Sequence, residues 1–297
     1  YSFKSIVVHL VRFTVFVFIV LPLLFSCVKN NPDPSWLRVN DWDLVANVAL
    51  SGEEGELTKK ITNAKVYVND ELIGIFETPF RIPLLSSGES VIRLDPVVIN
   101  NGISATKKVY PFTNFYQETV TLVKNDTVVI SPVTSYKSNA NFWIEDFEDI
   151  NISIENDPNT SLANLILSNE SLNAFNGNYY GKVMLNETDS TWVAYTLEQL
   201  PIPKGVDSYL EIDYYNTNDV YQGLIYLSPS GIQDNINIRM NAQAPESAVW
   251  KKMYIELREL VTASPIQSTF LQSFQANLDA NDIEGVICLD NIKVIWF

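Results

Sequence analysis

The chain has 297 residues, 46% hydrophobic and 12% aromatic, with 20 Lys plus Arg against 35 Asp plus Glu and a formal net charge of −15. That excess of acid opposes nucleic acid and anionic lipid surfaces, and no local Lys/Arg cluster offsets it. His9 is the only histidine, and Cys27 and Cys288 are the only cysteines. Beyond the first 26 residues, Ser-His-Asp or Cys-His catalysis and imidazole-ligated metal therefore have no residues to be built from.

In chain order, Lys4, His9 and Arg12 precede an apolar run from Phe13 to Leu24, with no Asp or Glu before Cys27. A basic start followed by a run this short is the pattern of a secretory signal. A transmembrane anchor, the alternative, needs about 20 apolar residues, and His9 and Arg12 interrupt any extension backwards. Leu24-Phe25-Ser26-Cys27 resembles the lipobox of bacterial lipoproteins, with Leu three places before the cysteine and a small residue directly before it; Phe25 is bulkier than that pattern prefers. The resemblance implies removal of residues 1–26, then diacylglycerol and further acyl groups such as palmitate on Cys27. It also implies attachment to the outer membrane of a Gram-negative bacterium, with the periplasmic or cell-surface face left open. Several acyl chains hold a protein on a membrane where one is marginal. Loss of Lys4 and Arg12 leaves 18 basic against 35 acidic residues, a charge of −17. Residues 27–34 read as the lipidated tether, and the chain begins with Tyr1, which leaves its true start open.

Beyond the tether, β-branched and aromatic residues, apolar–polar alternation and the lack of a sustained helical period predict an all-β chain of two β-sandwich domains. Residues 35–134 form the first. In "NAKVYVNDELIGIFETPFRIPLLSSGESVIRLDP", Val66, Val68 and Leu72 fall on strand, Asn69-Asp70 turn and return strand. Gly74 and Thr78-Pro79 then lead to a second strand pair hinged at Ser87-Gly88, and "NFYQETVTLV" supplies a closing strand. Residues 64–121 resemble the PEGA-type modules of bacterial envelope proteins, small sandwiches in the style of immunoglobulin-like and transthyretin-like domains, with Asn-Asp where Asp-Gly is usual. That resemblance implies a spacer or protein-interaction domain. In Asp41-Trp42-Asp43, alternation turns Trp42 inward and leaves both aspartates exposed.

Residues 135–140 read as a linker, and 141–297 as a second sandwich. Its landmarks "FWIEDFED", "GNYYGKVML", "YLEIDYYN", "GLIYLSPSG", "VWKKMYIEL" and "GVICLDNIKVIWF" resemble jelly-roll carbohydrate-binding modules and galactose-binding-like sandwiches. In such a fold the first and last strands are neighbours. Glu145, Asp146 and Glu148 with Asp290 are therefore candidate oxygen ligands for a structural Ca²⁺, against a reading as two exposed acidic turns. Aromatic candidates for a sugar platform are Tyr180, Trp192, Tyr215 and Tyr221, against ordinary core packing. Trp250 is expected in the core, and Cys288 as a buried small hydrophobe. Asp126-Thr127-Val128 and Asp189-Ser190-Thr191 resemble a bacterial O-glycosylation signal that would modify Thr127 and Ser190.

No catalytic constellation is found. The expected function is a non-catalytic, lipid-anchored envelope protein that binds other proteins, as an accessory subunit of an outer-membrane assembly. The alternative is a surface glycan-binding lipoprotein that holds polysaccharide with the jelly roll.

Overall fold

The structure, a computed structural model, describes residues 33–170, 174–280 and 282–297. The signal-like run, Cys27 with its motif, and the tether up to residue 32 lie outside these. Within them, strands make up nearly all the regular structure, which confirms an all-β chain.

The first sandwich contains β1 (Ser35–Val39), β2 (Asp43–Leu44), β3 (Asn63–Val68), β4 (Glu71–Glu77), β5 (Phe80–Leu84), β6 (Gly88–Ile99), β7 (Lys107–Val109), β8 (Tyr116–Leu122), β9 (Thr127–Ile130) and β10 (Val133–Thr134). One sheet runs β4-β3-β6, with β8 and β7 along successive stretches of the far side of β6; β5-β1-β9 forms another, and β2 pairs with β10. Val68 meets Glu71 across Asn69 and Asp70, whose φ values of 49° and 64° are the left-handed pair that a two-residue hairpin needs. The strand pair expected to hinge at Ser87-Gly88 does not form. β5 pairs with β1 and β6 with β3, because the chain crosses between sheets there and buries Leu84 with Ile92 and Leu94 in one core. Trp42 is turned inward, donating from Nε1 to the Asn63 carbonyl at 3.1 Å, between exposed Asp41 and Asp43.

The second sandwich contains β11 (Asn141–Glu145), β12 (Ile154–Asn156), β13 (Ile166–Ser168), β14 (Tyr180–Asn186), β15 (Thr191–Thr196), β16 (Ser208–Asn216), β17 (Val220–Ser228), β18 (Gly231–Met240), β19 (Lys251–Glu256), the short helix α1 (Arg258–Ala263), β20 (Thr269–Asn277) and β21 (Glu284–Trp296). A six-stranded sheet has the order β13-β14-β21-β16-β19, with β11 also on β21; a five-stranded sheet has the order β12-β15-β20-β17-β18. The expected neighbourhood of first and last strands is present, Asn141 facing Trp296 and Glu145 facing Ile292. Strand alternation fills the space between the sheets: β15 buries Trp192, Ala194 and Thr196 and turns Thr191, Val193 and Tyr195 outward. Trp192 stacks on Phe274, centroids 6.1 Å apart.

The outer face of the six-stranded sheet is covered by the first sandwich, whose hydrophobic core takes in Tyr209, Tyr254 and Ile295. Residues 135–140 belong to this packing: Tyr136 is 1% exposed, and the Lys137 amide donates to the Phe112 carbonyl at 2.8 Å. At the edge, the Asn101 amide donates to the Tyr254 carbonyl, and the Glu256 amide to Asn101 Oδ1, each at 2.8 Å. The five-stranded sheet keeps an exposed outer face, with Ile236 58% exposed.

Candidate functional site

That free face is shaped by one glycine. β17 lies between β18 and β20, and at Gly223 it has no side chain. Asp234 on β18 therefore reaches across β17, its Oδ1 accepting from Ser273 Oγ at 2.8 Å and its Oδ2 from Gln275 Nε2 at 2.5 Å. A Cβ at Gly223 would lie 2.6 Å from Ser273 Oγ and 3.0 Å from Asp234 Oδ1. Tyr195 is paired with Ser273, and Tyr221 with Gln275 on one side and Arg239 on the other, so two partly exposed tyrosines flank the polar cluster. Arg239 is in turn ion-paired with Asp219. Burial, then the nearby Glu155 and Asp157 carboxylates, raise the Tyr195 phenol, which stays a neutral donor. A carboxylate, an amide and a hydroxyl held between aromatic rings combine hydrogen-bonding capacity with apolar faces, the complement of a sugar ring.

A second concentration of chemistry lies in the seam between the sandwiches. Glu211 Oε1 accepts from Tyr110 Oη at 2.6 Å and Tyr136 Oη at 2.9 Å, and Lys252 Nζ sits 3.0 Å from Glu211 Oε2. Lys252 also donates to Thr58 Oγ1 at 2.9 Å, which donates to Asp213 Oδ2 at 2.6 Å, and Lys293 Nζ donates to the Glu56 carbonyl at 3.0 Å. Burial alone would raise the Glu211 carboxyl. The Lys252 and Lys293 charges and the hydrogen bonds from Tyr110 and Lys252 outweigh it and hold it below the usual range. Asp213 goes the other way, raised because burial exceeds what Lys252 and Thr58 return. Burial likewise pushes Asp290 up to about 7 and Lys293 down to about 8. Glu211 and Asp213 are 0% exposed, so no substrate reaches them. The paired charges all lie on β16, β19 and β21 of the second sandwich, and the first sandwich is joined to them by hydrogen bonds from the Tyr110 and Thr58 hydroxyls and to the Glu56 carbonyl.

No family model matches the chain, and no curated protein matches it. Similar solved structures include a β-sandwich carbohydrate-binding module described for promiscuous specificity, at 14% identity and a TM-score of 0.37, covering 77% of this chain and 83% of that one. A module specific for non-crystalline cellulose is 15% identical with a TM-score of 0.37, over 50% of this chain and 90% of its own. The family 30 module of a cellulosomal cellulase from Clostridium thermocellum is 12% identical with a TM-score of 0.37, over 51% and 96%. At TM-scores this low, the likenesses carry no inference about what this chain binds.

The candidate residues scatter. Trp192 and Tyr180 are 0% exposed, so Trp192 packs in the core. Tyr180 joins partly exposed Tyr215 around Trp250, ring centroids 5.8 and 6.4 Å from it, on the outer side of the six-stranded sheet. Trp250, expected in the core, thus lies at the margin of that sheet and also contacts exposed Phe175. Only Tyr221 lies on the free face.

The four acidic candidates do not converge on a metal position. Alternation places Glu145 on the same side of its sheet as core Trp143, while the bulge at Asn291, with φ 46°, turns Asp290 to the opposite side, beside Asp213. Their oxygens hold backbone amides instead. Glu145 accepts from Phe147 (2.8 Å) and Ser153, Asp146 from Glu148 (3.2 Å), Glu148 from Asn178 (2.6 Å) and Tyr179 (2.9 Å), and Asp290 from Asn176 (3.1 Å) and Asn291 (2.8 Å). Among the described residues, no group of three or more His, Cys, Asp or Glu is placed to hold a metal. Cys288 is buried and its thiol is pushed up to about 12 by desolvation. Thr127 lies on β9, accepting from Arg81, and Ser190 precedes β15; both are partly exposed.

The residues of this candidate site that sequence reading missed are Gly223, Asp234, Ser273 and Gln275. The available signal was Gly223 itself, since a glycine inside the apolar strand "GLIYL" marks close approach by another group.

Proposed function

We propose that the chain is a non-catalytic glycan-binding lipoprotein, held at the outer membrane by lipid on Cys27. It presents the free five-stranded face of its jelly roll to polysaccharide, while the first sandwich, resembling PEGA-type modules, acts as a rigid spacer. The observation that carries this reading is the Asp234, Ser273 and Gln275 cluster, built across Gly223 between Tyr195 and Tyr221. Its non-catalytic character is supported by the burial of the strongly perturbed ionisable groups at the seam, away from that face. The test is affinity electrophoresis of the full chain through gels containing a panel of β-glucans, xylans, galactans, mannans and uronate-bearing polymers. Retardation by at least one polymer is expected. Tyr221→Ala and Asp234→Ala should each weaken it about tenfold, the worth of one good contact at about 1.4 kcal/mol. Unretarded migration across the panel refutes the reading.

A second reading, an accessory subunit of an outer-membrane assembly, is favoured by one feature. β4 is an edge strand whose Leu72 is 53% and Ile75 43% exposed, an unpaired ladder suited to strand addition by a partner. Stoichiometric membrane partners in a native extraction, with no polysaccharide retardation, would favour it.

A further inference from the structure

Beside the free face, where β18 and β19 approach each other and the loop after β6 closes over the edge of β19, lies a cavity of about 410 Å³. That is within the range of small-molecule sites and far larger than a bare ion needs. Its lining inverts the composition of the chain. Four basic residues, Lys60, Arg239, Lys251 and Lys252, line it with no Asp or Glu, in a protein where acids outnumber bases 35 to 20. Arg239 is paired with Asp219, and Lys252 with Glu211 and Asp213. Among the described residues, Lys60 and Lys251 have no ion-pair partner. Partial burial, then the charge of Lys251, hold the Lys60 ammonium below the usual lysine range, with Asp213 behind it acting the other way. Two like charges thus share one cavity without a counter-ion, a cost that an entering anion removes.

The remaining walls limit what that anion belongs to. Asn101 and Asn241 offer carboxamides for hydroxyl groups, and Met253 presents an apolar surface. Arg239 belongs to both places, lining the cavity and standing cross-strand from Tyr221.

We propose that this cavity binds the carboxylate-bearing ring of an acidic sugar, a uronic acid, with Lys60 and Lys251 as its anion-binding residues. This rests on the glycan-binding reading, in which a chain lying on the free face delivers an acidic residue past Arg239 into the cavity.

The experiment is isothermal titration of the full chain, in mild detergent at low ionic strength, with D-galacturonate and D-glucuronate. D-galactose and sodium sulfate serve as controls. Uronate binding is expected, weakened at least tenfold in Lys60→Gln/Lys251→Gln and falling with added salt, while D-galactose gives no cavity signal. Tyr221→Ala should leave uronate binding intact while weakening polymer retardation about tenfold, so the two sites fail separately. Lack of uronate binding, unchanged binding in the double variant, or sulfate binding as tightly as uronate overturns the proposal. A thermal midpoint of the double variant within about 2 °C of the parent shows that any loss is not unfolding.

Discussion

Lys252→Met tests the reading of the seam directly. The Lys252 side chain is 3% exposed and faces two fully buried carboxylates, Glu211 Oε2 at 3.0 Å and Asp213 Oδ2 at 3.7 Å. Methionine fills similar volume without charge. Glu211 then keeps the Lys293 charge and two tyrosine hydroxyls. Asp213 keeps the Thr58 hydroxyl at 2.6 Å on one oxygen, while its other oxygen has no hydrogen-bond partner among the described residues. Breaking a buried pair in this way costs about 3–5 kcal/mol, because the remaining charge stays desolvated. At about 2–4 °C per kcal/mol for a chain of this size, the thermal midpoint should fall on the order of 10 °C. Differential scanning fluorimetry at pH 7 measures it. Adding Glu211→Gln should recover part of the loss, with coupling of at least about 1 kcal/mol in the cycle, since removing both charges is milder than stranding one. A Lys252→Met midpoint indistinguishable from the parent, or strict additivity in the cycle, would refute the reasoning. The pH dependence has a definite sign. Glu211 is held below its unfolded value, so its contribution is complete above the ordinary carboxylate range and disappears as acid protonates it in the folded state.

Asp290 has the opposite sign. Its carboxyl is raised from 3.8 to about 7, so the folded state binds the extra proton and Asp290 destabilises the fold increasingly from pH 4 to 7, by on the order of 4 kcal/mol at the top of that window. Asp290→Asn should therefore raise the midpoint at pH 8 relative to the parent by more than it does at pH 4.5; an equal difference at both values would contradict the assignment. Calcium provides a further check. Because Glu145, Glu148 and Asp290 hold backbone amides, millimolar Ca²⁺ or a chelator should move the midpoint by less than about 1 °C, and a calcium-dependent rise of several degrees would show that these loops open to take an ion.

Local features were legible in the sequence. The Asn69-Asp70 hairpin and the inward Trp42 rest on turn chemistry and alternation within a few residues, whereas the pairing of β11 with β21 was expected only from the jelly-roll resemblance. The seam was not. In "YLEIDYYN" the alternation of Leu210, Ile212 and Tyr214 with Tyr209, Glu211 and Asp213 reads as a strand with one wet face. Yet β16 is buried on both faces, because the first sandwich covers the polar one. A carboxylate that meets water and one that meets Lys252 and Tyr110 look the same in the sequence, since their partners lie 41 and 101 positions away. The acidic candidates failed for a related reason. A carboxylate beside a tight turn has backbone amides within reach before any ion arrives, as Glu145 and Asp146 show, while Glu148 takes the amides of Asn178 and Tyr179 in a loop about thirty residues on.

Hydrogen bonds across the seam also explain how the cavity, lined from both sandwiches, keeps one geometry. An apolar contact between two sandwiches tolerates sliding, because burial depends on area and is not directional. The hydrogen bonds from Tyr110 to Glu211, from Thr58 to Asp213 and from Lys252 to Thr58 do not: sliding the first sandwich by a few ångström leaves buried charges short of partners. The same Lys252 that anchors the first sandwich lines the cavity, next to Lys251 and opposite Lys60 from the other domain. The distance between the two unpaired ammonium groups, one on each sandwich, thus depends on the Thr58 hydrogen bonds across the seam behind them. Lys252→Met should accordingly weaken uronate binding although Lys60 and Lys251 are untouched, and the loss should be smaller in the Glu211→Gln double variant, where no stranded charge forces the sandwiches apart. Equal loss in the single and double variants would mean that Lys252 contributes to the cavity only by its own charge.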